Sequence, residues 1–244
     1  MVIAYNGANY HGWQKQADGV DTIQQQIERA ASRLVGHSVV VYGASRTDAG
    51  VHALGQVANF FTTNYSIPIQ AFCRALNSML PGDIAIISAE QVNNDFHASR
   101  CAIAKTYQYR IFTAPVKPVH LYNLVYHYGQ WLDVEVMQEA ARRLVGEHDF
   151  RGFTCSAEAR QNTVRTIYRC ELCQQDSEII VTITGNGFLY KMVRNIVGTL
   201  IEIGRGHWQP DRIDKILSSC NRSDAGPTAP AEGLYLVSVK YPTE

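Results

Sequence analysis

One order of secondary-structure signals occurs twice along this chain, and it narrows the possible folds more than any other feature. In the first hundred residues, strand-like patterns cover Met1 to Tyr5, Ser38 to Tyr42, Gly55 to Phe61 and Ile84 to Val92. A helix starting at Thr22 and another from about Pro68 to Met79 interrupt them, which gives β-α-β-β-α-β. Thr22 and Gln25 form a capping box, Gly36 suits the helix end, and Ile23, Ile27, Ala30, Ala31 and Leu34 make one apolar stripe. Pro68 fits the first turn of the second helix.

The remaining residues repeat that order. Cys101 to Phe112 alternates as a strand, with Lys105, Tyr107, Tyr109 and Ile111 on one face. Leu124 to Tyr128 reads as an inserted strand-like piece. A helix is predicted from Asp133 to Val145, with Val134, Met137, Ala141 and Leu144 inward. A hairpin turning at Asp176-Ser177 joins Arg165 to Gln174 with Glu178 to Thr184. Then follow a long helix, Leu189 to Ile203, a short one, Pro210 to Ser219, and a last strand, Leu234 to Tyr241. Each repeat is the split ferredoxin-like unit. The expected class is therefore α+β, with two ferredoxin-like halves, residues 1–100 and 101–244, whose antiparallel sheets join around a central cleft.

Composition excludes several classes of function. The 244 residues are 46% apolar and 18% charged, which is a globular balance. Formal net charge is zero, so any nucleic-acid binding needs a segregated basic face. No segment approaches the roughly 20 apolar residues of a spanning helix, and no signal peptide is visible, so no membrane role is expected. Six scattered cysteines suit reduced thiols in a cytoplasm. The first strand begins abruptly, as a truncated chain would.

Chemistry concentrates in the loop Gly43-Ala44-Ser45-Arg46-Thr47-Asp48-Ala49-Gly50-Val51-His52. A lone Asp-x-Gly is ordinarily a surface turn. This one is longer than a tight hairpin needs, carries Arg46 two residues from Asp48, and is followed by His52. An adjacent Arg favours an ionised Asp48, available as nucleophile or base. Lys191 and Arg194 fall early in a predicted helix, where cations are locally unfavourable and an anion such as phosphate or carboxylate would compensate. Gly198, one turn beyond Arg194, would let another segment approach closely. Trp13 is expected to anchor packing. Tyr107 is a core position that could also stack a base.

Other motifs fail on physical grounds. Gly185-Asn186-Gly187-Phe188-Leu189-Tyr190 is not a dinucleotide fingerprint, because Tyr190 occupies the third glycine position. Cys170 and Cys173 have metal-like spacing, but in a strand they face opposite ways, and no second ligand pair completes a zinc site. Neither a phosphate-cradling loop nor a Gly-x-Ser-x-Gly elbow is present.

Seven segments in order carry a family resemblance: Gly12-Trp13-Gln14, Arg46 to His52, Leu80-Pro81-Gly82-Asp83-Ile84, Asp95-Phe96-His97-Ala98, Lys105-Thr106-Tyr107-Gln108-Tyr109, Met192 to Gly198, and Ala231 to Leu236. The chain resembles the tRNA pseudouridine synthase A (TruA) family over essentially its whole length. The resemblance implies isomerisation of uridine to pseudouridine in the anticodon stem-loop, at tRNA positions 38, 39 and 40, without cofactor or metal, by a homodimer whose tRNA touches both subunits. It implies Asp48 as the nucleophile and Tyr107 packing on the target base. Arg194 would pair with the aspartate, Leu234 would line the base pocket, and Arg46 would hold the RNA and aid base extrusion. Ser45 stands where the family pattern leads one to expect Gly, and Asn6-Gly7 replaces Asp-Gly. From the residues alone, two competitors stay open. One is a non-catalytic RNA-binding module, which does not need a loop carboxylate. The other is a glycosidase-like hydrolase, which ordinarily needs a second acid.

Overall fold

The computed structural model describes residues 1–17, 19–64, 67–155 and 162–242. It is a mixed α/β structure that packs into two compact units. The first comprises Met1–Ile103 together with the chain from Tyr235 onward, and the second Ala104–Leu234. Sequence had suggested halves of 1–100 and 101–244. The last strand instead packs with the first unit, because Tyr235 and Leu236 pair in parallel with His52 and Ala53.

In the first unit the order is β1 (Val2–Tyr5), α1 (Ile23–Val35), β2 (Tyr42–Gly43), β3 (His52–Asn59), α2 (Ile69–Asn77), β4 (Ile84–Ser88), and finally β10 (Leu234–Lys240). β1 lies between β4 and β3 and is antiparallel to both, and β2 pairs antiparallel with β3. Helix α1 starts as expected: the Thr22 hydroxyl accepts the Gln25 N–H at 3.4 Å, and Gly36 closes it at φ 80°. Its buried stripe ends on Val35 rather than Leu34.

Two predicted strands are shorter than their pattern. Residues 38–41 form no strand, because α1 side chains take their backbone groups. Ser32 accepts the Val39 N–H, Glu28 accepts the Val41 N–H, and Gln24 donates to the Val41 carbonyl. Glu28 and Gln24 are buried to do this. β4 stops at Ser88 and not Val92, since its partner β1 begins at Val2, opposite Ser88.

The second unit contains β5 (Ala104–Phe112), β6 (Tyr126–His127), α3 (Val134–Arg142), β7 (Gly146–Asp149), β8 (Val164–Gln175), β9 (Glu178–Gly185), α4 (Met192–Gly204) and α5 (Arg212–Ser219). β9 lies between β5 and β8, antiparallel to both. The short β7, which had no clear sequence signal, pairs with the start of β8 and ends α3 earlier than expected. The Asp176-Ser177 hairpin is present, with Asp176 at φ 51°. Met137, Ala141 and Leu144 are fully buried, as are Val181, Ile183 and Leu200, whereas Val134 is only half-buried. Helix α4 begins at Met192 and not Leu189, because Lys191 adopts a left-handed backbone, φ 57°, and breaks the run. Cys170 is buried and Cys173 exposed, so this pair does face opposite ways.

Candidate active site

The Asp48 turn is tied down from several directions. Gln56, fully buried, donates to the Ser45 carbonyl at 2.7 Å and accepts the Ser45 N–H at 3.2 Å. The Tyr5 hydroxyl meets the Thr47 hydroxyl at 2.8 Å, and the Trp13 N–H donates to the Thr47 carbonyl at 3.0 Å. The Val51 N–H returns to the Asp48 carbonyl at 3.2 Å, and the Gly50 N–H reaches the Tyr10 carbonyl at 3.3 Å. Gly50 has φ 78°, a left-handed value that an L side chain would resist. Trp13 is 2% exposed and is the packing anchor that the sequence suggested.

The result is a carboxylate on a turn whose backbone groups are mostly spoken for. Asp48 is half-buried and Arg46 exposed. Fixing the backbone before substrate arrives removes an ordering cost from the reaction. His52, four residues beyond Asp48, is a core residue. It is 1% exposed, its Nδ1 accepts the Gly7 N–H at 3.2 Å, and its ring stacks on Tyr235 at 4.7 Å.

The other candidates lie in the second unit. Tyr107 is 6% exposed on β5, and its ring meets Phe188 edge-on, with centroids 5.1 Å apart. Arg194 is half-buried on the first turn of α4, where its Nε donates to the Ala229 carbonyl at 2.7 Å. Leu234 is buried and closes the one-turn 3-10 helix Ala231–Gly233. The structure therefore places Arg46 and Asp48 on one loop of the first unit, and Tyr107, Arg194 and Leu234 within the second. The close approach expected at Gly198 is present: a Cβ there would sit 1.7 Å from the Pro227 carbonyl oxygen.

Two supporting residues escaped the sequence reading. Tyr109 donates its hydroxyl to the Pro230 carbonyl at 2.7 Å and so holds the strand end leading to Leu234. Burial raises its phenol well above the ordinary value and keeps it a donor. Asn195, fully buried, donates to the Phe153 carbonyl at 2.7 Å and accepts from the Thr228 hydroxyl at 2.6 Å, which secures the segment that Arg194 grips. Its signal was legible in principle, as an amide among the apolar residues of α4.

Comparison with known proteins agrees with these motifs. The family model for tRNA pseudouridine synthase matches residues 1–99 and 140–242. A protein of Acetivibrio thermocellus named tRNA pseudouridine synthase A is 49% identical over 241 residues, covering 99% of this chain and 98% of its own. Proteins of the same name from Ruminiclostridium cellulolyticum and Thermoanaerobacter pseudethanolicus are 45% and 43% identical, each again covering 99% of this chain and 98% of its own. A solved Cbf5-Nop10-Gar1 complex aligns at 11% identity and TM-score 0.36, over 83% of this chain and 54% of that one, too low to bear on the fold. Arg46, Asp48, Arg194 and Leu234 fall within the matched stretches, and the full-length relatives also span Tyr107. With its loop aspartate, its α4 arginine and its last strand all inside these matches, the chain belongs to the tRNA pseudouridine synthase family.

Proposed function

We propose that this protein isomerises uridine to pseudouridine in the anticodon arm of tRNA, with Asp48 acting on a flipped-out nucleoside. The observation that carries the reading is the Asp48 turn, braced by Tyr5, Trp13 and Gln56 in a chain of this family. The reaction breaks the bond from ribose C1′ to uracil N1 and makes one from C1′ to C5. The C5 proton leaves and N1 gains one, so substrate and product are isomers. A stacked base is out of reach, so it must be extruded, at a cost of a few kcal/mol. Bases in a loop cost least to extrude. One carboxylate can serve by attacking C1′, attacking uracil C6, or removing a ribose proton.

In this reading Tyr107 packs on the target base, Leu234 lines its pocket, Arg194 pairs with the aspartate, and Arg46 holds the RNA during extrusion. The working form is a homodimer in the cytoplasm. Each unit is read as ferredoxin-like. The first has β4, β1 and β3 side by side with β2 on β3, and the second carries β5, α3, β8, β9 and α4 in the expected order.

The test is tritium release from tRNA labelled at uridine C5. Wild type should release tritium and form pseudouridine. Asp48→Asn should lose at least about a thousandfold in rate, in keeping with loss of a directly acting group. Near wild-type turnover by Asp48→Asn would overturn the assignment. Tight RNA binding with no release would make the chain a binding module, and free uracil would make it a hydrolase.

A further inference from the structure

One stretch of backbone, residues 7–13, underlies the Asp48 turn and touches it at both ends. A Cβ added at Gly7 would stand 2.0 Å from the Val51 carbonyl oxygen. One added at Gly12 would stand 2.6 Å from the Thr47 carbonyl oxygen and 3.1 Å from the Asp48 carbonyl carbon. Gly12 has φ 90°, a left-handed value that suits glycine alone at such a contact. Between these close approaches the Tyr10 carbonyl accepts the Gly50 N–H at 3.3 Å, and the Trp13 N–H donates to the Thr47 carbonyl at 3.0 Å. The peptides on both sides of Asp48 therefore rest on this loop, and a shift of the loop is a shift of those peptides.

The loop is fastened from two directions. Its later half is tied to the start of α1. The Ile23 and Gln24 N–H groups donate to the Gly12 and Trp13 carbonyls at 3.2 and 3.0 Å, and the His11 N–H donates to the Asp21 carbonyl at 2.9 Å. Its earlier half is tied to Asp83, the residue just before β4. The Asp83 carbonyl accepts the Asn6 N–H at 2.9 Å, and its carboxylate accepts the Tyr10 hydroxyl at 2.6 Å. A single residue thus fastens both ends of the segment 6–10. Within the segment the Tyr10 N–H closes back on the Gly7 carbonyl at 3.0 Å, so the segment moves as a unit.

The bond from Tyr10 to Asp83 is of the strong kind: it is short, it ends on a carboxylate, and Tyr10 is 8% exposed. Burial raises the Tyr10 phenol above its ordinary value, and the bond to Asp83 raises it further, so the hydroxyl keeps its proton and remains the donor.

We propose that Asp83 is a positioning residue for Asp48: by holding the Tyr10 hydroxyl it fixes the loop on which the Asp48 turn rests. The proposal rests on the reading of Asp48 as the group that acts on the nucleoside. Asp83 and Tyr10 have no part in the reacting bonds. They act through backbone geometry, where a misplacement of about 1 Å can cost on the order of a hundredfold in rate.

The test compares turnover, RNA affinity and amide exchange in variants of the full chain. Tyr10→Phe and Asp83→Ala should each lower kcat about tenfold to a hundredfold, with affinity for an anticodon stem-loop RNA within about twofold of wild type. The double variant should be no slower than the slower single one, because both substitutions break the same bond. Asp83→Asn keeps an acceptor for the Tyr10 hydroxyl and should recover most of kcat. The Gly50 amide should exchange faster in Tyr10→Phe and near the wild-type rate in Asp83→Asn. Asn77→Ala is the reference for plain loss of stability. It removes two hydrogen bonds to Ile86 of β4, at 2.7 and 2.9 Å, and should keep kcat. A kcat in Tyr10→Phe and Asp83→Ala no lower than in Asn77→Ala would overturn the proposal, as would a double variant slowed by the product of the two single losses. Wild-type turnover by Asp48→Asn would defeat the reading of Asp48 instead, and faster Gly50 exchange in Tyr10→Phe would still sustain the link from Asp83 to the turn.

Discussion

Arg194 and Ala229 hold each other in both directions: the Arg194 Nε donates to the Ala229 carbonyl at 2.7 Å, and the Ala229 N–H donates to the Arg194 carbonyl at 3.1 Å. The grip depends on how closely the 226–229 segment lies on α4. That distance is set by Gly198, and the Gly226 N–H completes the contact by donating to the Thr199 hydroxyl at 2.9 Å. Gly198→Ala would drive a methyl group into the Pro227 carbonyl, and backbone cannot yield as a side-chain tip can. The expected loss is about 1–3 kcal/mol of stability by urea titration. Turnover should fall by more than that loss explains, since Arg194 is displaced with the segment. Unchanged stability would mean that the segment is free to move.

Gln56 is expected to act as a positioning residue for Asp48. Gln56→Leu keeps the bulk but strands the Ser45 N–H and carbonyl. Leaving such groups unsatisfied costs about 1–3 kcal/mol. In steady-state kinetics the drop should appear mainly in kcat, with RNA affinity nearly constant, because the turn that carries Asp48 loosens while Tyr107 and Leu234 are untouched. Gln56→Glu keeps one acceptor and should fall between the two.

Acid stability should report on Asp149. Partial burial alone would raise its carboxyl, but bonds from the Thr163 hydroxyl and the Arg151 N–H, with the Arg151 charge, outweigh burial and hold it below the usual carboxylate range. A depressed carboxylate stabilises the fold above its unfolded pKa, and that contribution disappears as pH falls through the folded value. Asp149→Asn should therefore cost about 0.5–1 kcal/mol above roughly pH 4, toward the low end because water reaches the group. The two proteins should converge on further acidification. A difference that stays constant down to acid would point to packing instead.

The cysteines should differ sharply in reactivity. Burial would raise the exposed Cys155 thiol, but bonds from Arg222, Asn195 and Thr228 bring it below its ordinary value. Burial pushes Cys170 up to about 12. With iodoacetamide near neutral pH, mass spectrometry should find Cys155 modified well before Cys170. Arg222→Gln should slow Cys155, with exposed Cys173 as the internal reference. Equal rates before and after that substitution would show that Arg222 does not tune the thiol.

Much of this molecule could be read before folding. Helix α1 announces itself through Thr22, its apolar spacing and Gly36, all local devices. The Asp176-Ser177 turn and the Asp48-Ala49-Gly50 turn are equally local, and the small residue at Gly198 already implied a close neighbour. The failures share a cause. Residues 38–41 have the composition of a strand, yet Gln24, Glu28 and Ser32 reach them first. Nothing in those four residues encodes that competition. The early end of β4 likewise belongs to the length of β1.

By itself the chain order specified most of the periodicities, caps and turns, the mixed α/β make-up of the fold, and the aspartate loop with its family resemblance. Those depend on residues within a few positions of one another. Only the tertiary structure decided that Lys191 would take a left-handed backbone, that Tyr109 and Asn195 would fasten the segments behind Leu234 and Arg194, and that the last strand would pack with the first unit. Each of those outcomes is a choice among distant partners for backbone and side-chain polar groups. Burial forces such groups to be satisfied, but only the assembled neighbourhood determines by whom.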